Sequence, residues 1–195
     1  MAVQILVVVN EVLSEKGLML KRGSTGVATL IAAPSSTKNG SGTRDPEMQS
    51  TQKSRKWYFG MKAHVGVDTE SGLIHTVIGT AANVHDINVA HALLHGEQRN
   101  VYADAGYQGI EKREQAGSTR WHVGMRPSKR RKLNLNDPVD AIYDKIERLE
   151  AVIRAKVEHP FRILNRQFGY VKTRDRGWRK NTAQITTLLG LKKYR

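Results

Sequence analysis

Trp57-Tyr58-Phe59-Gly60-Met61-Lys62-Ala63-His64-Val65-Gly66-Val67-Asp68 alternates aromatic or aliphatic residues with polar or small ones, the period of a half-buried strand. Gly72 turns the chain and Leu73 to Thr80 returns it, so the two segments predict a β-hairpin. Downstream, Asn100-Val101-Tyr102-Ala103-Asp104-Ala105-Gly106-Tyr107 predicts a short buried strand that ends in a carboxylate and then a glycine turn. Functional side chains often sit at such strand ends. Between these segments His85 to Leu94 predicts a short helix, with Ile87, Val89, Ala90, Leu93 and Leu94 apolar and Gly96 as its stop. Gln108 to Ala116 suits another helix and Trp121 to Met125 another strand. Strands that precede alternating helices and strands indicate an α/β domain with a mixed sheet.

Upstream, Val3, Leu6, Val7, Val9 and Leu13 with Gly17 as a stop suit a short helix over 3–16, although the Val-rich run suits a strand equally. Leu18 to Ala33 is β-compatible up to Pro34, and Ser35 to Asp45 reads as an exposed loop. After a basic, polar loop over Ser128 to Asn136, Asp137-Pro138 supplies an N-cap with Pro at the first helical position. Ile142, Ile146, Leu149, Ile153, Val157, Phe161, Leu164 and Phe168 then recur in steps of three or four and define one helical stripe. Pro160 predicts a kink or break just before it.

Thirty-two Lys and Arg against eighteen Asp and Glu leave a formal charge of +14 on 195 residues, so a polyanion is the first partner expected. The excess lies in the second half, where Arg126, Lys129, Arg130, Arg131 and Lys132 form one cluster. Lys172, Arg174, Arg176, Arg179 and Lys180 form a second, with Tyr170 and Trp178 interleaved. One basic cluster is as readily a solvated face, but two with aromatics nearby favour a nucleic-acid surface. The absence of cysteine excludes a disulfide scaffold, a thiolate zinc site and a cysteine nucleophile. The run Val3 to Val9 is too short to span a bilayer and no basic residue precedes it, so the chain is expected to be cytoplasmic, with no membrane partner.

Asp104 at a strand end and Glu158 beside the helical stripe, with Arg154, Arg162 and Arg166 nearby, are carboxylates on elements expected to pack together. Oxygen ligands of this kind hold hard divalent cations, and a pair of ions about 3.5–4 Å apart activates a nucleophile and stabilises a leaving oxygen in phosphodiester transfer. A lone Asp at a strand end and a lone helical Glu are more often exposed or ion-paired structure. His64, His85 and His159 include no pair at the i, i+4 spacing of a zinc site and are read as structural or surface residues. Trp57 and Trp121 are read as core and Trp178 as a base-stacking residue.

The segments 28–39, 44–48, 57–64, Ala82-Asn83-Val84-His85-Asp86, Ala103-Asp104-Ala105-Gly106-Tyr107-Gln108-Gly109 and Val157-Glu158-His159-Pro160-Phe161-Arg162 stand in the order seen in bacterial insertion-sequence transposases of the DDE type, which the chain resembles. The resemblance implies a ribonuclease H-like mixed sheet flanked by helices. It also implies three acids holding two Mg2+ ions, with Mn2+ as a substitute, that cut transposon ends and join them to target DNA. Asp104 matches the second acid and Glu158 the third, as catalytic and metal-binding residues. Arg154 and Glu158 keep the R-(3)-E part of the signature Y-(2)-R-(3)-E-(6)-K, whereas Ala151 stands for its Tyr and Asn165 for its Lys. On this alignment the catalytic domain occupies 18–169, after a helical remnant over 1–17 and before a basic tail over 170–195. The family's N-terminal helical region is expected to be missing.

The first acid's position is Val27, which cannot ligate a cation. Asp86 is the nearest substitute, but capping of the helix after it is the more ordinary role. Arg154, Arg162, Arg166, Lys129, Arg130, Arg131, Lys172, Arg174 and Trp178 are the expected DNA contacts. Two readings follow. One is a transposase catalytic domain, a nucleoid-associated DNA nucleotidyltransferase impaired at Val27, acting with transposon ends, target DNA and a second copy or an intact transposase. The other is an inactive DNA-binding fragment that regulates or has no role.

Overall fold

A computed structural model describes residues 1–19, 22–113, 119–156 and 158–191. Among these residues six strands form one sheet. Its centre is β1 (Gly23–Ala32), flanked by antiparallel β3 (Lys56–Asp68) and parallel β5 (Asn100–Ala103). Beyond β5 lies parallel β6 (Arg120–Val123), and β3 also pairs with β4 (Ile74–Ala81) and with β2 (Gln49–Lys53). The expected hairpin is thus β3–β4. A second hairpin, β2–β3, was not expected, and its two turn residues, Ser54 and Arg55, both have positive φ (50° and 64°), as the tight turn between twisted strands requires.

The N-terminal segment resolves as a helix, α1 (Ala2–Glu15), rather than a strand. Only Leu6 and Val9 of it are buried. The helix expected over 85–94 is two short 3₁₀ turns, Asp86–Asn88 and Ala90–Leu93. Of the α-helix expected over 108–116, the described part holds a 3₁₀ turn at Ile110–Lys112, which follows another at Ala105–Tyr107, and residues 114–118 lie outside the described residues. Gly109 between them has φ of 92°, a left-handed conformation that breaks the helical path. Within the basic loop, Pro127–Arg130 makes one helical turn, α2.

The long stripe divides where Pro160 predicts. α3 (Pro138–Ala155) ends before Pro160, and α4 (Glu158–Arg166) takes that proline in its first turn, where the missing N–H costs nothing. Asp137 caps α3 by accepting from the amides of Val139 and Asp140. The two helices use the stripe in opposite senses. Phe161 and Leu164 of α4 enter the main core, whereas the buried residues of α3 are Asp144 and Glu147. The segment after 170 carries α5 (Trp178–Leu191), whose Ile185 and Leu189 are fully buried with Met61, Val65 and Tyr170.

Candidate functional site

Gly26 of β1 pairs with Ala103 of β5, so Val27 and Asp104 are the next residues along two neighbouring parallel strands. Asp104 is exposed, and its Oδ1 accepts from Gly106 N at 2.8 Å, capping the turn that follows the strand. Val27 is half-buried and packs against the main core. Glu158 is the exposed first residue of α4, a helix that packs against α3 and α5.

Asp86 lies close to Asp104. A Cβ added to Gly106 would stand 2.9 Å from Asp104 Oδ1 and 3.6 Å from Asp86 Oδ2, so the glycine lets the two carboxylates approach. Asp86 does not cap the turn after it. Its Oδ1 instead accepts from Lys62 Nζ at 2.9 Å, and the same ammonium donates to Val84 O at 2.7 Å. The ammonium compensates the charge of Asp86. Asp86 and Asp104 together push the hydroxyl of the buried Tyr107 up, after burial itself as the larger cause, and that hydroxyl has no hydrogen-bond partner. Burial holds His64, behind Asp86 on β3, down to about 4, with Asp86 opposing the shift and Lys62 adding to it.

Several expected DNA contacts are already engaged. Arg154 is paired with Glu147 and lies 3.7 Å from Glu150 Oε2. Arg130 Nε donates to Asp144 Oδ1 at 2.9 Å; this bond, with the charge of Arg148 beside it, holds the Asp144 carboxyl below its usual range. Arg174 donates to Phe168 O at 2.7 Å and lies over the Tyr170 ring. Lys129, Arg131, Arg162, Arg166 and Lys172 are exposed. Trp178 is half-buried against the main core, with Arg179 over its ring, while Trp57 is 71 % exposed and is not a core residue. Trp121 packs as expected, against the smaller cluster of Ala103, Tyr107 and Ile110.

Sequence reasoning missed a groove of about 300 Å³ between the 33–45 loop and 173–176, lined by Asn39, Arg44, Arg174 and Arg176 among others. Asp45 accepts from Gly177 N at 2.6 Å and Glu47 from Trp178 N at 3.1 Å, so two acids hold the loop on the N-terminus of α5. The pairing joins positions more than 130 residues apart, which no local pattern reveals.

A family model described as the transposase DDE domain matches residues 28–191. That span is most of the chain, so the protein belongs to this family, as an insertion-sequence DDE transposase catalytic domain with a ribonuclease H-like fold. Enzymes of this family carry out DNA transposition. No solved structure matches the chain. Among the described residues no helix is long and apolar enough to cross a membrane.

The family works with divalent metal ions. Among the described residues no three His, Asp or Glu side chains are grouped to hold an ion.

Proposed function

We propose that the chain is a transposase catalytic domain that keeps its fold and DNA-binding surface but is impaired in strand cleavage and transfer by Val27. In this reading Asp104 and Glu158 are the remaining catalytic acids, with Mg2+ as the ion and Mn2+ as its substitute. The single observation that carries it is the placement of Val27. It follows Gly26, the last residue of the β1–β5 pairing, whose partner Ala103 precedes Asp104, and this neighbourhood supports a site that lacks one carboxylate. Phosphate contacts by many Lys and Arg are individually weak and redundant, whereas a bridging ligand is not. DNA, as transposon ends and target, is the partner, through the exposed Lys129, Arg131, Arg162, Arg166 and Lys172 and the groove-lining Arg174, with Trp178 at the edge of that surface. The chain acts on DNA in the cytoplasm, at the nucleoid.

The packing of Val27 against the core favours a second reading, a DNA-binding fragment without chemistry that regulates an intact transposase or has no role. One assay separates the two: Mg2+- and Mn2+-dependent cleavage and strand transfer on DNA carrying candidate transposon ends. The expected result is an inert chain, activity gained with Val27→Asp, and that activity lost again with Val27→Asp plus Glu158→Gln. Cleavage by the unaltered chain would overturn the role given to Val27, and binding without cleavage by every variant would leave the second reading in place.

A further inference from the structure

The β2–β3 hairpin outruns the sheet that carries it. The pairing of β1 with β3 ends at Ala32 and Gly60 and that of β4 at Ala81 and Met61, so Lys56 to Tyr58 pair only with β2. What projects is a two-stranded ribbon closed by the turn at Ser54 and Arg55, an arrangement that gains little stability of its own from burial. Every side chain of β2 is polar, and Trp57 and Tyr58 of β3 are 71 % and 37 % exposed. The charge at its tip has one sign. Lys53, Arg55 and Lys56 crowd the turn, no acid occurs from 48 to 67, and among the described residues no carboxylate pairs with any of the three. Lys53 and Lys56 are direct cross-strand partners, which destabilises a ribbon unless an anion lies against it.

Position and composition select the occupant. The ribbon leaves the sheet at the end where β1 and β5 finish, the end that holds Asp104. Gly26, the partner of Ala103, also pairs with Gly66, and Trp57 lies nine residues further along β3, about 30 Å at about 3.3 Å per residue. A duplex covers that span in about nine base pairs, and its major groove, about 12 Å wide, admits a two-stranded ribbon. Gln49, Ser50, Thr51, Gln52 and Lys53 carry the donors and acceptors that read base edges there, glutamine above all at adenine. Gln52 is the cross-strand partner of Trp57, and Thr51 that of Tyr58, so each face of the ribbon joins a hydrogen-bonding side chain to an aromatic. A membrane surface takes its aromatics on one side, whereas the adjacent Trp57 and Tyr58 stand on opposite faces. Building on the reading of the chain as a transposase domain that acts on DNA, we propose that the β2–β3 ribbon enters the major groove of the duplex and supplies base recognition. Gln52 meets base edges and Trp57 thymine methyl groups, while Lys53, Arg55 and Lys56 lie against the phosphates.

The chain has no cysteine, so Ser54→Cys places a single thiol at the turn of the ribbon. Its alkylation by a maleimide is expected to slow about tenfold when the full-length variant is saturated with a mixed-sequence duplex, because the groove walls screen it. Glu70→Cys, on the exposed β3–β4 turn at the other end of the sheet, is the control and is expected to keep its rate. From a library of random duplexes the unaltered chain is expected to select a motif. Gln52→Ala should relax that motif about tenfold at one position and Trp57→Ala at a thymine, both with the circular dichroism of the folded domain, whereas Lys172→Ala leaves it intact. Unchanged alkylation of Ser54→Cys by a duplex that the chain binds overturns the proposal and leaves the DNA-binding reading standing. Protection by single strands or by phosphatidylglycerol vesicles but not by the duplex also overturns it, as does a motif that Gln52→Ala and Trp57→Ala leave unaltered, or the selection of none. A chain that binds no duplex at all removes both readings.

Discussion

On the proposed reading, Val27 stands where the site's first acid would be. The position is half-buried near an exposed carboxylate, so Val27→Asp adds a further acid to the neighbourhood of Asp104 and Asp86. A lowered melting temperature is expected without metal, corresponding to about 1–3 kcal/mol for the partly desolvated acid, with part of the loss recovered in Mg2+. His64 makes a separate prediction. It is fully buried, its Nε2 meets Thr80 Oγ1 at 2.9 Å, and its Nδ1 has no partner. The folded imidazole stays neutral down to about 4, while the unfolded one takes a proton near 6.5. Between those values the unfolded chain binds more protons, so stability falls as pH drops from about 6.5 toward 4, by up to about 3 kcal/mol. Urea titrations across that range should show the loss, and His64→Gln should flatten it.

Among the elements, α5 and the loop before it depend on one amide. Asn181 is fully buried; its Oδ1 accepts from Tyr170 Oη and from the amides of Arg174 and Asp175, and its Nδ2 donates to Asp175 O and Gly177 O. The Tyr170 hydroxyl, pushed up to about 12 chiefly by burial, stays a donor throughout the working range. Asn181→Ala leaves several buried groups unpaired, and a loss of about 2–4 kcal/mol is expected in denaturant unfolding. Leu164→Ala on α4, at a fully buried position, is expected to cost about 2–5 kcal/mol through the cavity it leaves. The same truncation at Leu149 of α3, 60 % exposed, should cost well under 1 kcal/mol in the monomer. The contrast between two leucines of one sequence stripe is a direct measure of how differently the two helices are used.

For the whole molecule the charge of +14 sets the expectation for DNA binding. Affinity for a duplex of mixed sequence should fall linearly on a log–log plot against salt, and Lys129→Ala or Lys172→Ala should each reduce the slope by about 1 with little effect on sequence preference. Arg130→Ala should instead lower stability, because its guanidinium holds Asp144. Fluorescence anisotropy at several salt concentrations, with melting curves alongside, separates these effects.

The hairpin of β3 and β4, the carboxylate at the end of β5, the cap at Asp137 and the break before Pro160 were all legible in the sequence. Each rests on a period, a cap or a turn residue a few positions long. The motif order likewise pointed to the family. The sequence could not show that α3 turns its apolar stripe outward, that Asp86 is held by Lys62 rather than capping a turn, or that Trp57 is exposed. Nor could it show that the loop before β2 is held on α5 by Asp45 and Glu47. Those outcomes depend on which distant side chains offer a partner, and periodicity within one segment carries no information about them.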